Sequence, residues 1–203
     1  MYHNMSAVTM RFLLPSVLFL SFLSPVTAQQ SDYIEDFKLN NLVSGSEFSL
    51  KDYAATPTVV VIFTSLHCPY AKLYNQRITK LIADFESDKV RFLLINPTNP
   101  AIHPQDTPAN LKQVIAENQW KVPFLTDPSQ KVARLLGAEK TPEVFVLSQQ
   151  QGLYKTIYQG AIDDNPQVAN DVRHPYLREF LSAQRKQSAQ VRTTPAAGCR
   201  IKP

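Results

Sequence analysis

Residues 58–63, Thr-Val-Val-Val-Ile-Phe, form an unbroken apolar and β-branched run. No other stretch restricts the fold as tightly, because such a run fits a strand buried on both faces and so needs structure packed on either side. The period changes after Cys68-Pro69. Tyr70, Tyr74, Ile78, Leu81, Ile82 and Phe85 recur at helical spacing, which predicts an amphipathic helix to about Glu86. Residues 90–95, VRFLLI, are a second apolar strand. Strand, helix and strand over this length make a βαβ unit with parallel strands.

Residues 29–57 are polar with aromatic punctuation and read as an N-terminal extension carrying a hairpin that turns at Ser44-Gly45-Ser46. Residues 96–108 read as a long loop rich in Pro, Asn and Thr, and residues 109–119 as a second helix with Leu111, Val114 and Ile115 inward. Asp127-Pro128 resembles an N-cap followed by proline at the first helical position, with Gly137 as the stop. Residues 143–147 and 153–159 are strands joined by a polar loop ending at Gly152, hence an antiparallel hairpin. Leu177, Phe180 and Leu181 mark a last helix. From about residue 187 the chain is polar and is expected to be mobile.

The N-terminus reads as a secretory signal. Arg11 supplies the positive charge, residues 12–23 the apolar segment, and Val26-Thr27-Ala28 the small residues of a cleavage site. The expectation is a signal peptide over 1–28, a globular part over 29–186 and a tail over 187–203. The product would be periplasmic or secreted, with no stable membrane insertion once the signal is cleaved. The formal net charge of +4 is mild, and the basic residues gather only near the C-terminus, so nucleic acid is not an expected partner. The chain has two cysteines, Cys68 and Cys199. In an exported chain two cysteines can form one disulfide.

Cys68 stands between a buried strand and a helix, with Pro69 inside the first turn. A thiol there feels the partial positive charge of the helix N-terminus and its free N–H groups. Both favour the thiolate, which is the nucleophilic form. His67 precedes it. An imidazolium there would stabilise a thiolate or shuttle a proton, and a solvated or packing role is the alternative. His67 and Cys68 alone are too few ligands for a metal site, so no metal and no organic cofactor is expected. Asp163-Asp164-Asn165 reads as loop and capping chemistry. Thr141-Pro142, just before a strand, places a proline where it removes no ladder hydrogen bond and where a cis bond is plausible.

Taken in order, these features resemble the thioredoxin superfamily, and within it the peroxiredoxin-like (redoxin) proteins of bacteria. The resemblance rests on HCPYAK at 67–72, TDPSQKVARLLGAEKTPEVFVL at 126–147, YQGAIDDNP at 158–166 and GCRIKP at 198–203. It runs from about residue 33 to the C-terminus. It implies an α/β thioredoxin-like fold, a mixed central sheet flanked by helices in a single domain. Cys68 matches the active-site cysteine and Pro142 the proline expected to be cis beside it. The Thr141 backbone would pair with an extended substrate, and Cys199 matches the cysteine of a terminal Gly-Cys-x-Ile-Lys.

The departures are specific. Ala71 stands where a Cys-x-x-Cys needs its second cysteine, and Ser65 where close relatives often carry one. Ile62 stands where thioredoxin has a buried acid. Ser65 supplies the hydroxyl of a peroxiredoxin pattern, but Val61 replaces its proline. The resemblance implies an extracytoplasmic thiol–disulfide oxidoreductase acting on thiol or disulfide proteins and fed electrons by another thiol protein. Cys68 and Cys199 would be the catalytic pair, with Ser65, His67, Pro69, Thr141 and Pro142 in support. Two alternatives stand beside it. One is a thiol-dependent reductase of a small peroxide. The other is a redox-inert binding module in which Cys68–Cys199 is a structural staple.

Overall fold

The apolar run at 58–63 becomes the centre of a mixed sheet. The computed structural model describes Met1, residues 33–186 and residues 190–202. The expected signal segment, apart from Met1, lies outside the described residues. The described residues from Tyr33 onward belong to one compact unit. Its strands are β1 (Tyr33–Ile34), β2 (Lys38–Asn41), β3 (Glu47–Ser49), β4 (Thr58–Phe63), β5 (Val90–Asn96), β6 (Phe124–Thr126), β7 (Lys140–Thr141), β8 (Glu143–Gln150), β9 (Leu153–Gly160), β10 (Arg192–Thr193) and β11 (Cys199–Arg200). Its helices are α1 (Pro69–Phe85), α2 (Pro108–Glu117), α3 (Lys131–Leu136) and α4 (Tyr176–Arg185). Among the described residues no helix is long and apolar enough to cross a membrane.

The sheet order is β1-β9-β8-β4-β5-β6-β2-β3, with β10 added beside β9. β4 and β5 run parallel, as the βαβ pattern requires, and β8 lies antiparallel on the other side of β4. Every residue of β4 is buried, and its side chains alternate between two cores. Val60 and Ile62 pack under α1, α2 and α4 with Tyr74, Ile78, Leu111, Phe180 and their neighbours. Val59, Val61 and Phe63 pack on the opposite face with Phe37, Phe48, Val132 and Leu136. The unbroken apolar run is thus explained by two covered faces.

The hairpin β2–β3 forms across residues 42–46, with Gly45 at φ +74° in the left-handed region its turn needs. One strand is unanticipated and two expectations change. β6 joins the sheet beside β5, although its three residues are too few for a visible period. α3 begins at Lys131, later than expected, with Gln130 as N-cap in a left-handed conformation. Asp127 still serves that helix from a distance, accepting the N–H groups of Lys131, Val132 and Ala133 at 2.9 Å each. Finally, residues 190–202 are not a free tail. β10 runs parallel to β9, and β11 pairs antiparallel with β7. A polar composition concealed this, because the segment is held by main-chain bonds, the Thr194 hydroxyl and the Cys199 disulfide, with Ile201 as its one side chain packed on the apolar core.

Candidate active site

The site lies where the C-terminal end of β4 meets the N-terminal end of β8. Phe63 is in register with Glu143, so the β4–α1 loop and the turn before β8 are brought together by sheet pairing alone. Cys68 is the N-cap of α1, extended at φ −85° and ψ 117°, and Pro69 takes the first helical position. The proline has no N–H to leave unpaired there and its ring presets the helical φ. Cys68 is fully buried.

The Thr141–Pro142 peptide bond is cis. The Thr141 carbonyl oxygen lies 3.1 Å from the Cys68 Sγ. Ser65 and Thr141, both buried, join their hydroxyls at 2.7 Å across the two loops. Cys68 is bonded to Cys199, with 5.7 Å between their Cα atoms and a sequence separation of 131. In this oxidised state the Cys68 sulfur has no hydrogen, so its approach to the Thr141 oxygen is a contact. In the reduced state the same oxygen would accept the S–H. The thiol therefore stands between opposed influences: the carbonyl favours S–H, and the helix N-terminus favours the thiolate.

His67 is fixed by a residue that sequence reasoning missed. Asp106, 1% exposed, accepts the N–H groups of Leu66 at 2.6 Å and His67 at 3.1 Å. It also pairs with His67 Nδ1 at 2.8 Å and accepts from Asn96 Nδ2 at 2.6 Å. A carboxylate only accepts, so His67 Nδ1 carries the hydrogen and the other ring nitrogen is left for exchange. The His67 ring stacks on His103 at 3.9 Å. The two rings line a small crevice with Thr98, Gln130, Thr141 and Arg200. Asp106 sits in the 96–108 loop between His103-Pro104 and Thr107-Pro108. Its only sequence signal is an acid in a turn-rich segment, which does not reveal burial.

Asp163 does belong to loop chemistry. It accepts the Tyr74 hydroxyl at 2.7 Å and pairs with Arg77 at 2.7 Å. Burial and this carboxylate push the Tyr74 phenol up. Asn165 accepts the N–H of Val168 at 2.8 Å, and Asp164 that of Arg173 at 3.0 Å. Arg77, Arg91, Arg178 and Arg192 are paired with Asp163, Glu86, Asp84 and Glu179 respectively. Among the described residues no group of three or more His, Cys, Asp or Glu side chains is placed to hold a metal ion. A larger open groove lined by Tyr53, Thr79, Glu86, Arg91 and Trp120 shares no residue with this site.

A cysteine at a helix N-terminus facing a cis-proline is the arrangement the resemblance implied. Residues 31–156 match the AhpC/TSA family. The chain belongs to the AhpC/TSA family. Among solved structures, an uncharacterized conserved protein from Geobacillus kaustophilus is similar at 29% identity with a TM-score of 0.76, over 84% of this chain and 90% of that one. A hypothetical protein from Sinorhizobium meliloti matches at 28% identity and a TM-score of 0.73, over 84% of this chain and 92% of that one. A thiol-disulfide oxidoreductase from Bacteroides fragilis shares the fold at 14% identity and a TM-score of 0.51, over 63% of this chain and 88% of that one. No curated protein matches the chain. The AhpC/TSA chain thus has a thioredoxin-like fold, with one disulfide joining its helix-capping cysteine to its C-terminal segment.

Proposed function

We propose that this AhpC/TSA-family protein is an extracytoplasmic thiol–disulfide oxidoreductase with Cys68 as nucleophile and Cys199 as resolving cysteine. The observation that carries the reading is the Cys68–Cys199 bond at the N-terminus of α1 beside cis-Pro142. In the reduced protein the Cys68 thiolate attacks one sulfur of a substrate disulfide. A mixed disulfide forms, and the other substrate sulfur leaves as a thiolate with the bonding electron pair. The Cys199 thiolate then attacks the Cys68 sulfur, and the substrate departs as a dithiol. Two electrons have passed to the substrate, and a dithiol donor returns two to the chain. Ser65 and Thr141 hold the two loops in register, and His67, oriented by Asp106, exchanges protons with the leaving and arriving sulfurs.

The test is thiol titration of the protein across a glutathione redox series, with the bond mapped by mass spectrometry. A reversible Cys68–Cys199 couple in the folded protein is expected. Cys68→Ser should abolish exchange, and Cys199→Ser should leave substrate trapped on Cys68. A bond that yields only on unfolding overturns the reading in favour of a stapled binding module. Peroxide reduction is less well supported. Val61, buried within β4, stands where the peroxiredoxin pattern has its proline. Rapid sulfenic acid formation at Cys68 in dilute peroxide would reverse that order.

A further inference from the structure

The C-terminal strand lies where an incoming polypeptide would. β11 runs antiparallel to β7, with Cys199 opposite Thr141 and Arg200 opposite Lys140. Ile201 N donates to the Glu139 carbonyl at 2.8 Å. The Gln130 amide donates to the Lys202 carbonyl, and Lys140 Nζ to the Ala196 carbonyl at 2.7 Å. All of these bonds use main-chain atoms of the tail, so they hold an extended segment whatever its side chains are. Where a strand adds to an edge in this way, main-chain bonds give affinity and side-chain positions give selection.

Selection falls on residue 198. A Cβ there would overlap the Thr141 carbonyl group and stand 3.0 Å from the Pro142 nitrogen. Gly198 is not among the glycines of positive φ. The glycine is therefore required by close approach rather than by backbone conformation. The carbonyl it lies against is the one that meets the Cys68 sulfur, so the requirement is imposed at the reacting atom.

On the reading above the Lys140–Thr141 edge takes an extended substrate segment; we propose that it selects a segment whose reactive cysteine is preceded by glycine, and that the chain's own residues 198–202 fill it while Cys68 and Cys199 are joined. This rests on the reading of Cys68 as a thiol-exchange nucleophile. A dithiol donor opens the edge. It gives up two electrons and becomes a disulfide, and Cys68 and Cys199 become thiols. The strand is then held by main-chain bonds and the packing of Ile201, without the covalent link, and a partner segment can displace it. With the partner's cysteine in the place of Cys199, the Cys68 thiolate attacks its sulfur. A new disulfide forms, the partner's old one breaks, and the departing sulfur leaves as a thiolate.

The probe is a heptapeptide copying residues 196–202, its cysteine carried as a mixed disulfide with thionitrobenzoate. Its twin has alanine in place of the glycine. Both are offered to the full chain carrying Cys199→Ser, and to the chain carrying Gly198→Ala with Cys199→Ser. Release of coloured thiolate and the mass of the Cys68 adduct give the rates. The glycine peptide should be captured about tenfold or more faster than its twin, as loss of a strand hydrogen bond plus a steric overlap implies. The doubly substituted chain, whose own strand no longer fits, should capture it faster than the single variant. Equal rates for the two peptides overturn the glycine rule, and equal rates for the two chains overturn self-occupancy. A small aromatic disulfide reagent, which needs no strand pairing, reports Cys68 alone. Failure of that reaction removes the nucleophile reading and this proposal with it. Hydrogen exchange at the Ile201 amide supplies a readout free of thiol chemistry. Protection unchanged by Gly198→Ala overturns the proposal.

Discussion

At the scale of single residues, chemistry at Cys68 depends on a carboxylate that no local motif announces. Asp106 collects four donors within 3.1 Å in a buried setting, and removing it would take the acceptor from the Leu66 and His67 donors and leave Asn96 Nδ2 only the Thr64 carbonyl at 3.3 Å. Asp106→Ala is expected to destabilise the fold by about 3 kcal/mol or more, because buried unpaired donors carry their full desolvation cost. Asp106→Asn keeps one acceptor oxygen and should fold. Its thiol exchange should be slower, with an altered pH profile, because His67 can no longer give its Nδ1 hydrogen to a carboxylate. Denaturant midpoints and pH–rate profiles separate the structural effect from the chemical one. Cys68, Pro69, His67, Thr141 and Pro142 were legible as candidates, because each stands at a junction between periodic segments. Asp106, His103 and Gly198 were not. Their roles come from what the fold sets against them, and a linear pattern does not record that.

At the scale of elements, strand order explains why two loops far apart in sequence share one site. The existence of β4, β5 and β8 and the parallel run of β4 and β5 were within reach of the sequence, since long apolar runs mark buried strands; their registers were not, because runs buried on both faces have no alternation to fix them. β6, β7, β10 and β11 were not, because strands of two or three residues have no period to read. The start of α3 was misplaced for a related reason: Asp127 caps it across three residues, outside the usual N-cap spacing. Asp127→Ala should therefore cost about 1–2 kcal/mol, as loss of a side-chain cap does, and chemical denaturation can read it. Gly160 is a second point of close approach. It has φ +138°, and a Cβ there would overlap the Thr194 carbonyl. Gly160→Ala should lift β10 from β9 and destabilise by about 1–3 kcal/mol. Faster exchange at the Thr194 amide, which donates to Gln159 at 2.9 Å, is the accompanying signature.

At the scale of the whole molecule, the disulfide closes a loop of 131 residues. In the chain-entropy account, reduction should lower unfolding free energy by about 5 kcal/mol. Comparing denaturation of the oxidised protein with that of Cys199→Ser tests this. Buried phenols set the alkaline limit of stability. Burial raises Tyr154 and Tyr158 to about 12. The Tyr154 hydroxyl donates to the carbonyls of Tyr53 and Thr56, and that of Tyr158 to the carbonyl of Ala161. A pKa raised on folding contributes stability that is complete below the unfolded value of about 10 and is lost as pH rises through the folded one. Stability should accordingly decline between about pH 10 and 12, with tyrosinate absorbance rising alongside unfolding.

The anchoring of Thr194 has a kinetic consequence. Its hydroxyl accepts the Ala161 N–H at 2.9 Å and meets the Tyr158 hydroxyl at 3.0 Å, bonds that owe nothing to the oxidation state of sulfur. When the disulfide opens, Cys199 stays on a leash of only a few residues fastened at Thr194. Its effective concentration at the vacated edge is on the order of millimolar, the value for short linkers. A competitor in free solution must match that figure or bind better. The protein therefore sets a threshold on its own partners, and the threshold is fixed by the length of chain between residues 194 and 199.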